Sequence, residues 1–285
     1  MTRLRARVGA TAANLILVAG GALFLAPFVW MLSTSLRPIG QSLTLPPKWL
    51  PTTFDVSNYQ ALASQDYPIL RFMQNSFVIS GLSTLGIVAT SAMAGFAFAK
   101  LTFPYRDILF GLLLVSLMVP IQVTIVPLFV IMQRLGLVNS EWALILPALL
   151  GAFAPGLPGA FGIFMMRQFF RGIPDSLIEA ATIDGAGKLR IFWTIALPLA
   201  KPALASLAII VFTLSWNEYF TPLIFLSSTN EMTLPLGIQA LRPPFGQGSS
   251  LVLAAVAVAL LPVLIAYLAG HRWIVESFTR SGLKD

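Results

Sequence analysis

Glu218 is the one charged residue set well inside a long apolar run of this sequence. Burying a lone carboxylate in hydrocarbon costs at least a few kcal/mol, so Glu218 must face a wet cavity, a partner group or water at a lipid edge. Counting from Pro202 at about 1.5 Å per helical residue puts it ~24 Å along its run, toward one end. There it either reaches interfacial water or, with Asn217, lines a path for a polar solute. Gln122, two residues after Pro120, is a polar group in a kink-prone stretch, because proline leaves a backbone carbonyl unpaired. Its amide either meets solute or hydrogen-bonds a neighbouring helix. Glu179 lies in a polar segment instead, three residues after Ser176, the spacing of a capping box that satisfies two orphan backbone donors.

Other chemistry is hard to assemble from these residue types. The chain has no cysteine, so there is no thiolate metal site, thiol nucleophile or disulfide. The single histidine, His271, stands beside Arg272 and Trp273, where anchoring at a membrane interface accounts for it, and no metal site is expected. No His-Glu-x-x-His, Gly-x-Ser-x-Gly or Gly-x-x-x-x-Gly-Lys-Ser/Thr sequence occurs. An enzyme is not expected, and neither is a cofactor or nucleotide bound by this chain.

The elements that must position these residues are long and apolar. Of 285 residues 57% are hydrophobic and 10% charged, with a mean hydropathy of +0.83, more apolar surface than a soluble core of this length buries. A net charge of +7 raises the question of nucleic acid, but the basic residues lie between uncharged runs and form no basic and aromatic patch. Six runs, at about residues 10–36, 72–99, 107–133, 142–166, 202–226 and 248–271, are each long enough to cross a bilayer as a helix. Strands are excluded, since open edges go unsatisfied in lipid and the alternation of a barrel is absent. Although Arg3, Arg5 and Arg7 precede the first run as in a signal peptide, the run is too long and lacks a clean small-residue cleavage site. A retained first helix is expected, in an all-α integral membrane protein with one transmembrane domain over residues 1–285.

Lysine and arginine give the orientation, because basic segments stay on the cytoplasmic side. With the N-terminus inside, thirteen of the 18 basic residues fall on inside segments and five on outside ones. Six spans return the C-terminus to the same side, so the topology is N-in/C-in. Two proline-rich outside segments, 37–71 and 227–250, either dock something or merely connect helices.

One inside segment, 172–198, is long. Pro174 and Asp175 favour a helix start, Ser176 and Glu179 a capping box, and Leu177, Ile178, Ala180 and Ala181 an apolar side. Gly185 and Gly187 permit the backbone angles that stop a helix and turn the chain. A helix, a turn and a second helix are expected.

This segment carries Glu179-Ala180-Ala181, then Gly185, then Ile195-x-Leu197-Pro198. In those residues the sequence resembles the permeases of binding-protein-dependent ATP-binding-cassette (ABC) importers, whose cytoplasmic signature it matches at all seven positions. Asn75-Ser76, Pro120-x-Gln122, Pro127, Trp216-Asn217-Glu218 and Thr233-Leu234-Pro235-Leu236-Gly237 extend the likeness over most of the chain and make it similar to the carbohydrate branch, in particular the smaller permease subunit of maltose-type transporters. The ending Gly282-Leu283-Lys284-Asp285 departs from the Gly-x-Lys-Gly of many relatives.

The resemblance implies a type I importer permease fold with a coupling-helix loop at 172–198, in which Glu179, Ala180, Ala181, Asp184, Gly185, Ala186, Leu197 and Pro198 meet the ATPase. It implies a second permease subunit, two ATPase subunits that use ATP and magnesium, an extracytoplasmic binding protein, and a place in the cell membrane of a prokaryote. Gln122, Asn217 and Glu218 are the candidates for the solute path. The solute is expected to be a sugar or oligosaccharide, with glycerol phosphate an alternative within the same architecture. A proton- or sodium-coupled carrier is the competing class, although only Glu218 would serve its coupling ion.

Overall fold

The computed structural model describes residues 2–38, 49–51, 53–64, 67–150, 159–241 and 249–282, with side chains from 13 to 270. All regular structure among the described residues is helical. The chain forms two compact units, Met1–Leu70 with Ile238–Leu261, and Arg71–Gly237 with Pro262–Asp285.

In the first unit, α1 (Thr2–Ser35) exposes Leu17, Leu23 and Phe24 over most of their surface, as expected of a helix made to face lipid. Its polar end is covered by a short helix, α2 (Ser57–Leu62). The amide of Asn58, fully buried, donates to the carbonyls of Ser35 (2.9 Å) and Arg37 (2.7 Å), and the Ser35 hydroxyl pairs with the Tyr59 hydroxyl at 2.7 Å. These bonds satisfy carbonyls that the end of α1 leaves without helical partners.

The second unit begins within α3 (Ile69–Lys100) and continues through α4 (Arg106–Ser116), α5 (Ile121–Arg134), α6 (Trp142–Leu149) and α7 (Gly159–Arg171). It then runs α8 (Asp175–Ile183), α9 (Lys188–Ile191), a π-helical turn (Phe192–Ala196), α10 (Leu197–Leu199), α11 (Lys201–Trp216), α12 (Phe220–Phe225) and, as far as Gly237, α13 (Leu234–Ala240). The long α14 (Ser249–Gly282) closes the described chain. Small residues let α3 approach its neighbours closely, as in membrane helix packing generally. A Cβ on Gly95 would lie 2.6 Å from the Cβ of Met166 and 2.9 Å from the backbone nitrogen of Arg167, both on α7, and one on Gly86 would lie 2.8 Å from the Cα of Leu149 on α6.

Among the described residues, three helices are long and apolar enough to cross a membrane alone: Ala13–Ser35, Ile69–Lys100 and Ser249–Gly270. Two pairs qualify only when joined, making up to five spans. The run expected at 107–133 is one of these pairs, bent by 100° between α4 and α5. Pro120 stands in extended backbone (φ −69°, ψ 143°) just before α5 and has no N–H to continue the ladder. The other pair is Lys188–Leu199 with Lys201–Trp216, bent by 75°, and the run expected at 202–226 is interrupted at residues 217–219, between α11 and α12. Within 142–166, residues 151–158 lie outside the described residues, as do parts of both long outside segments. The side chains of His271, Arg272 and Trp273 and residues 283–285 of the tail lie outside them as well.

Candidate functional site

The 172–198 segment forms a helix, a turn and a second, composite helix. Its entry is tied to the end of α3: the Lys100 ammonium, its side chain 5% exposed, donates to the Ile173 carbonyl at 2.6 Å and to Asp175 Oδ1 at 2.5 Å. That hydrogen bond, with the lysine charge behind it, holds the Asp175 carboxyl below the usual carboxylate range. A lowered carboxyl pKa keeps the tie intact through neutral pH and loses it only as acid reaches that lowered value.

The expected capping box is not formed. α8 begins at Asp175, one residue before Ser176, so the serine lies inside the first turn and no side chain caps the helix. Asp175, near the N-terminal end of the helix dipole, stands there instead. The exit of α8 follows the reading from glycine at one of the two positions. Gly185 takes φ +80°, while Gly187 has an ordinary φ of −69° and immediately precedes α9. Ala186 N–H donates to the Ala181 carbonyl (2.9 Å) and Gly185 N–H to the Thr182 carbonyl (3.0 Å), the paired bonds of a Schellman turn. No atom lies within 4 Å of a Cβ built on Gly185, so backbone conformation alone requires glycine there.

The segment has two faces. Ile178, Ala181, Ala186 and Leu197 pack on a core that contains Phe96 of α3, Met166 and Phe170 of α7, and Leu207 and Val211 of α11. Phe96 meets Phe170 edge-on at 5.6 Å and Phe192 of the π turn at 5.3 Å between ring centroids. The other face carries exposed Glu179, Ala180, Asp184 and Pro198, and with them large apolar side chains in the open: Ile183 is 87% exposed, Leu189 77% and Trp193 60%. Sequence reading missed these three and the Lys100 anchor. Ile183 and Leu189 flank the Gly185 turn, which was the available signal.

The candidate path residues separate. Glu218 is half-buried, accepts from the Thr221 N–H at 3.0 Å and lines a cavity of 90 Å³. Asn217 is exposed and donates to the Thr213 carbonyl at 2.8 Å, closing the end of α11. Gln122 is exposed on the first turn of α5 and is not among the cavity's lining residues. The stretch Thr233–Gly237 is stitched to the start of α3. Asn75 donates to the carbonyls of Asn230 (2.7 Å) and Met232 (3.0 Å), and the Ser76 hydroxyl accepts from Leu234 N–H at 2.7 Å. No group of His, Cys, Asp or Glu that could hold a metal occurs among the described residues.

Among the described residues, apolar helices long enough to span a membrane, no strands, and a 172–198 segment packed on α3, α7 and α11 fit an integral membrane protein of the transport-permease class. Residues 77–279 match the family described as binding-protein-dependent transport system inner membrane component, and the chain belongs to that family. It is a membrane permease subunit of an ABC importer, and ATP hydrolysis in this family resides in a separate subunit. It is 32% identical over 268 residues to the arabinooligosaccharides transport system permease protein AraQ of Bacillus subtilis, covering 92% of this chain and 91% of that one. It is 34% identical over 225 residues to the sn-glycerol-3-phosphate transport system permease protein UgpE of Yersinia pestis, covering 78% and 77%. A crystal structure of a bacterial ABC transporter that imports the acidic polysaccharide alginate shares the fold, with a TM-score of 0.77 at 22% identity over 93% of this chain and 96% of that one.

Proposed function

We propose that this permease takes up a neutral sugar or oligosaccharide handed over by an extracytoplasmic binding protein, and that its 172–198 segment is the coupling loop seated on an ATPase subunit. The observation that carries the coupling is the pairing of the segment's two faces. Ile183, Leu189 and Trp193 would be costly in water and fit a protein partner, whereas Ile178, Ala181, Ala186 and Leu197 bind the opposite face to α3, α7 and α11. Glu179, Ala180, Asp184, Gly185 and Pro198 then meet the ATPase, where ATP and magnesium reside. A packed core switches between discrete arrangements more readily than it deforms. Displacement of the loop as two ATPase subunits close is therefore delivered to three helices together, and the path opens to the other side.

The rest of the assembly follows from the same reading. Six spans within one permease domain place both termini and the loop in the cytoplasm of a prokaryote, in agreement with the basic bias. A second permease subunit completes the path. On the far side, Asn75, Ser76 and Asn139 hold the 227–237 stretch in place, Asn139 Oδ1 accepting from both Ser227 and Ser228 N–H at 2.9 Å. A stretch fixed in this way suits docking of a binding protein. The sugar assignment is supported by the AraQ likeness over nine-tenths of the chain. Glycerol phosphate, favoured by the UgpE likeness, is the second reading.

The test is uptake by proteoliposomes holding this chain, its second permease and ATPase subunits, and the binding protein. A panel of neutral mono- to tetrasaccharides, arabinotriose among them, is compared with sn-glycerol 3-phosphate. Uptake of a neutral sugar that needs both ATP and the binding protein, and survives a protonophore, is expected. Uptake of glycerol phosphate alone removes the sugar reading, and uptake that persists without the ATPase removes the coupling reading.

A further inference from the structure

The cavity beside Glu218 lies wholly within the second unit. Ser76, Ser80 and Ser83 line it from one face of α3, and Ser215, Thr221 and Thr233 face them across the space. Among the described residues, five buried side-chain polar atoms have no hydrogen-bond partner, and three of them, the hydroxyls of Ser80, Thr221 and Thr233, line this cavity. These residues are 1%, 8% and 4% exposed. A buried polar group without a hydrogen-bond partner is costly and rare in native proteins, so three around one space require an occupant that donates and accepts hydrogen bonds. A volume of 90 Å³ exceeds several-fold the ~10–15 Å³ that one water requires.

We infer that this cavity is a contact site for the hydroxyl edge of a neutral sugar, and that Glu218 keeps anionic solutes out of it. The inference rests on the sugar reading above and adds where this subunit touches its cargo. Serine and threonine hydroxyls each donate and accept, as sugar hydroxyls do. Glu218 accepts only; its Oε1 is engaged by the Thr221 N–H, and the rest of the carboxylate remains for a sugar hydroxyl. A phosphate or uronate brought to the same place meets a like charge. Ile79, Ile121, Leu144 and Leu214 complete the walls. Those apolar sides match the C–H faces of a sugar ring, and to a bare cation they offer nothing.

The absence of cysteine from the chain makes the test direct. Ser80→Cys and Thr233→Cys, each the only thiol of this chain, are placed in the assembled transporter and labelled with a methanethiosulfonate reagent during ATP turnover. The sugar found by the uptake panel, supplied with its binding protein at about ten times its Kd, is expected to slow labelling at both positions about tenfold. Exposed Ser64→Cys is expected to label at an unchanged rate. Sodium chloride or sn-glycerol 3-phosphate in place of the sugar is expected to protect neither cavity position. As a second measurement, Thr233→Val, which preserves volume, is expected to raise the KM for the sugar about two- to tenfold, the worth of one neutral hydrogen bond, with kcat retained. Equal labelling with and without sugar while sugar uptake continues makes the cavity a water pocket and overturns the inference, with the sugar reading intact. Protection by sodium alone makes it a cation site and overturns it too. Uptake of no neutral sugar overturns both readings.

Discussion

Replacing Gly185 by proline is expected to leave the protein in the membrane and to abolish transport. The position has φ +80° and donates its N–H to the Thr182 carbonyl at 3.0 Å. Proline is fixed near −65° and has no N–H, so it supplies neither. A loss of about 3 kcal/mol at this turn corresponds to roughly a hundredfold change in the population of the correctly folded loop. ATP-driven uptake is expected to fall by at least that factor, while insertion and accumulation of the chain stay near normal because Gly185 itself is exposed and nothing lies within 4 Å of a Cβ built there. Gly185→Ala should fall between, since the left-handed region costs an ordinary residue about 1–2 kcal/mol. Wild-type uptake by Gly185→Pro would show that the geometry of this turn does not matter to coupling.

Gly95→Leu is expected to prevent folding altogether. Even a single methyl at this position would meet the Met166 Cβ at 2.6 Å and the Arg167 backbone nitrogen at 2.9 Å. Backbone cannot step aside as a side-chain tip can, so α3 and α7 must separate. Overpacking of this kind costs about 1–3 kcal/mol for modest insertions, and four carbons against backbone exceed that range. Separation also breaks the contacts of Phe96 with Phe170, which connect α3 to the core beneath the loop. The readout is the yield of monodisperse protein in detergent: little or none for Gly95→Leu, and a lowered melting temperature for Gly95→Ala. Gly111 on α4 serves as control, because nothing lies within 4 Å of a Cβ there, and Gly111→Ala should match wild type. Equal yields at both sites would mean that α3 and α7 are not in close contact.

The sequence carried the apolar runs plainly, because spans in lipid need length and lack of charge, and both are visible residue by residue. The turn at Gly185 was legible for a similar reason, since few residues but glycine enter that backbone region. The breaks at 117–120 and 217–219 were less so. Pro120 marked the first, but how far two helix segments diverge depends on what each packs against. The capping box at Ser176 and Glu179 had the right spacing and still did not form, because Lys100, 75 residues upstream of Asp175, fixes the entry to α8 from outside the segment. Tertiary contacts of that range leave no local pattern. The hydroxyls of Ser80, Thr221 and Thr233 were invisible for the same reason: each is unremarkable in its own helix or loop, and only the fold brings them around one space. Glu218 was legible because a carboxylate in an apolar run always asks for an explanation, whereas Gln122 and Asn217 attracted notice by type and do not line that space.

The coupling role of the 172–198 segment is tested most directly at Ile183, the most exposed apolar side chain of the Gly185 turn. An Ile183→Cys variant, the only thiol of the chain, is labelled in membranes with a photoactivatable maleimide and illuminated with the ATPase subunits present. A coupling role predicts labelling from the cytoplasmic side and a covalent adduct with the ATPase, diminished when that subunit is left out. Labelling by an impermeant reagent added outside intact cells, or illumination that yields no ATPase adduct in a transporting complex, would contradict it.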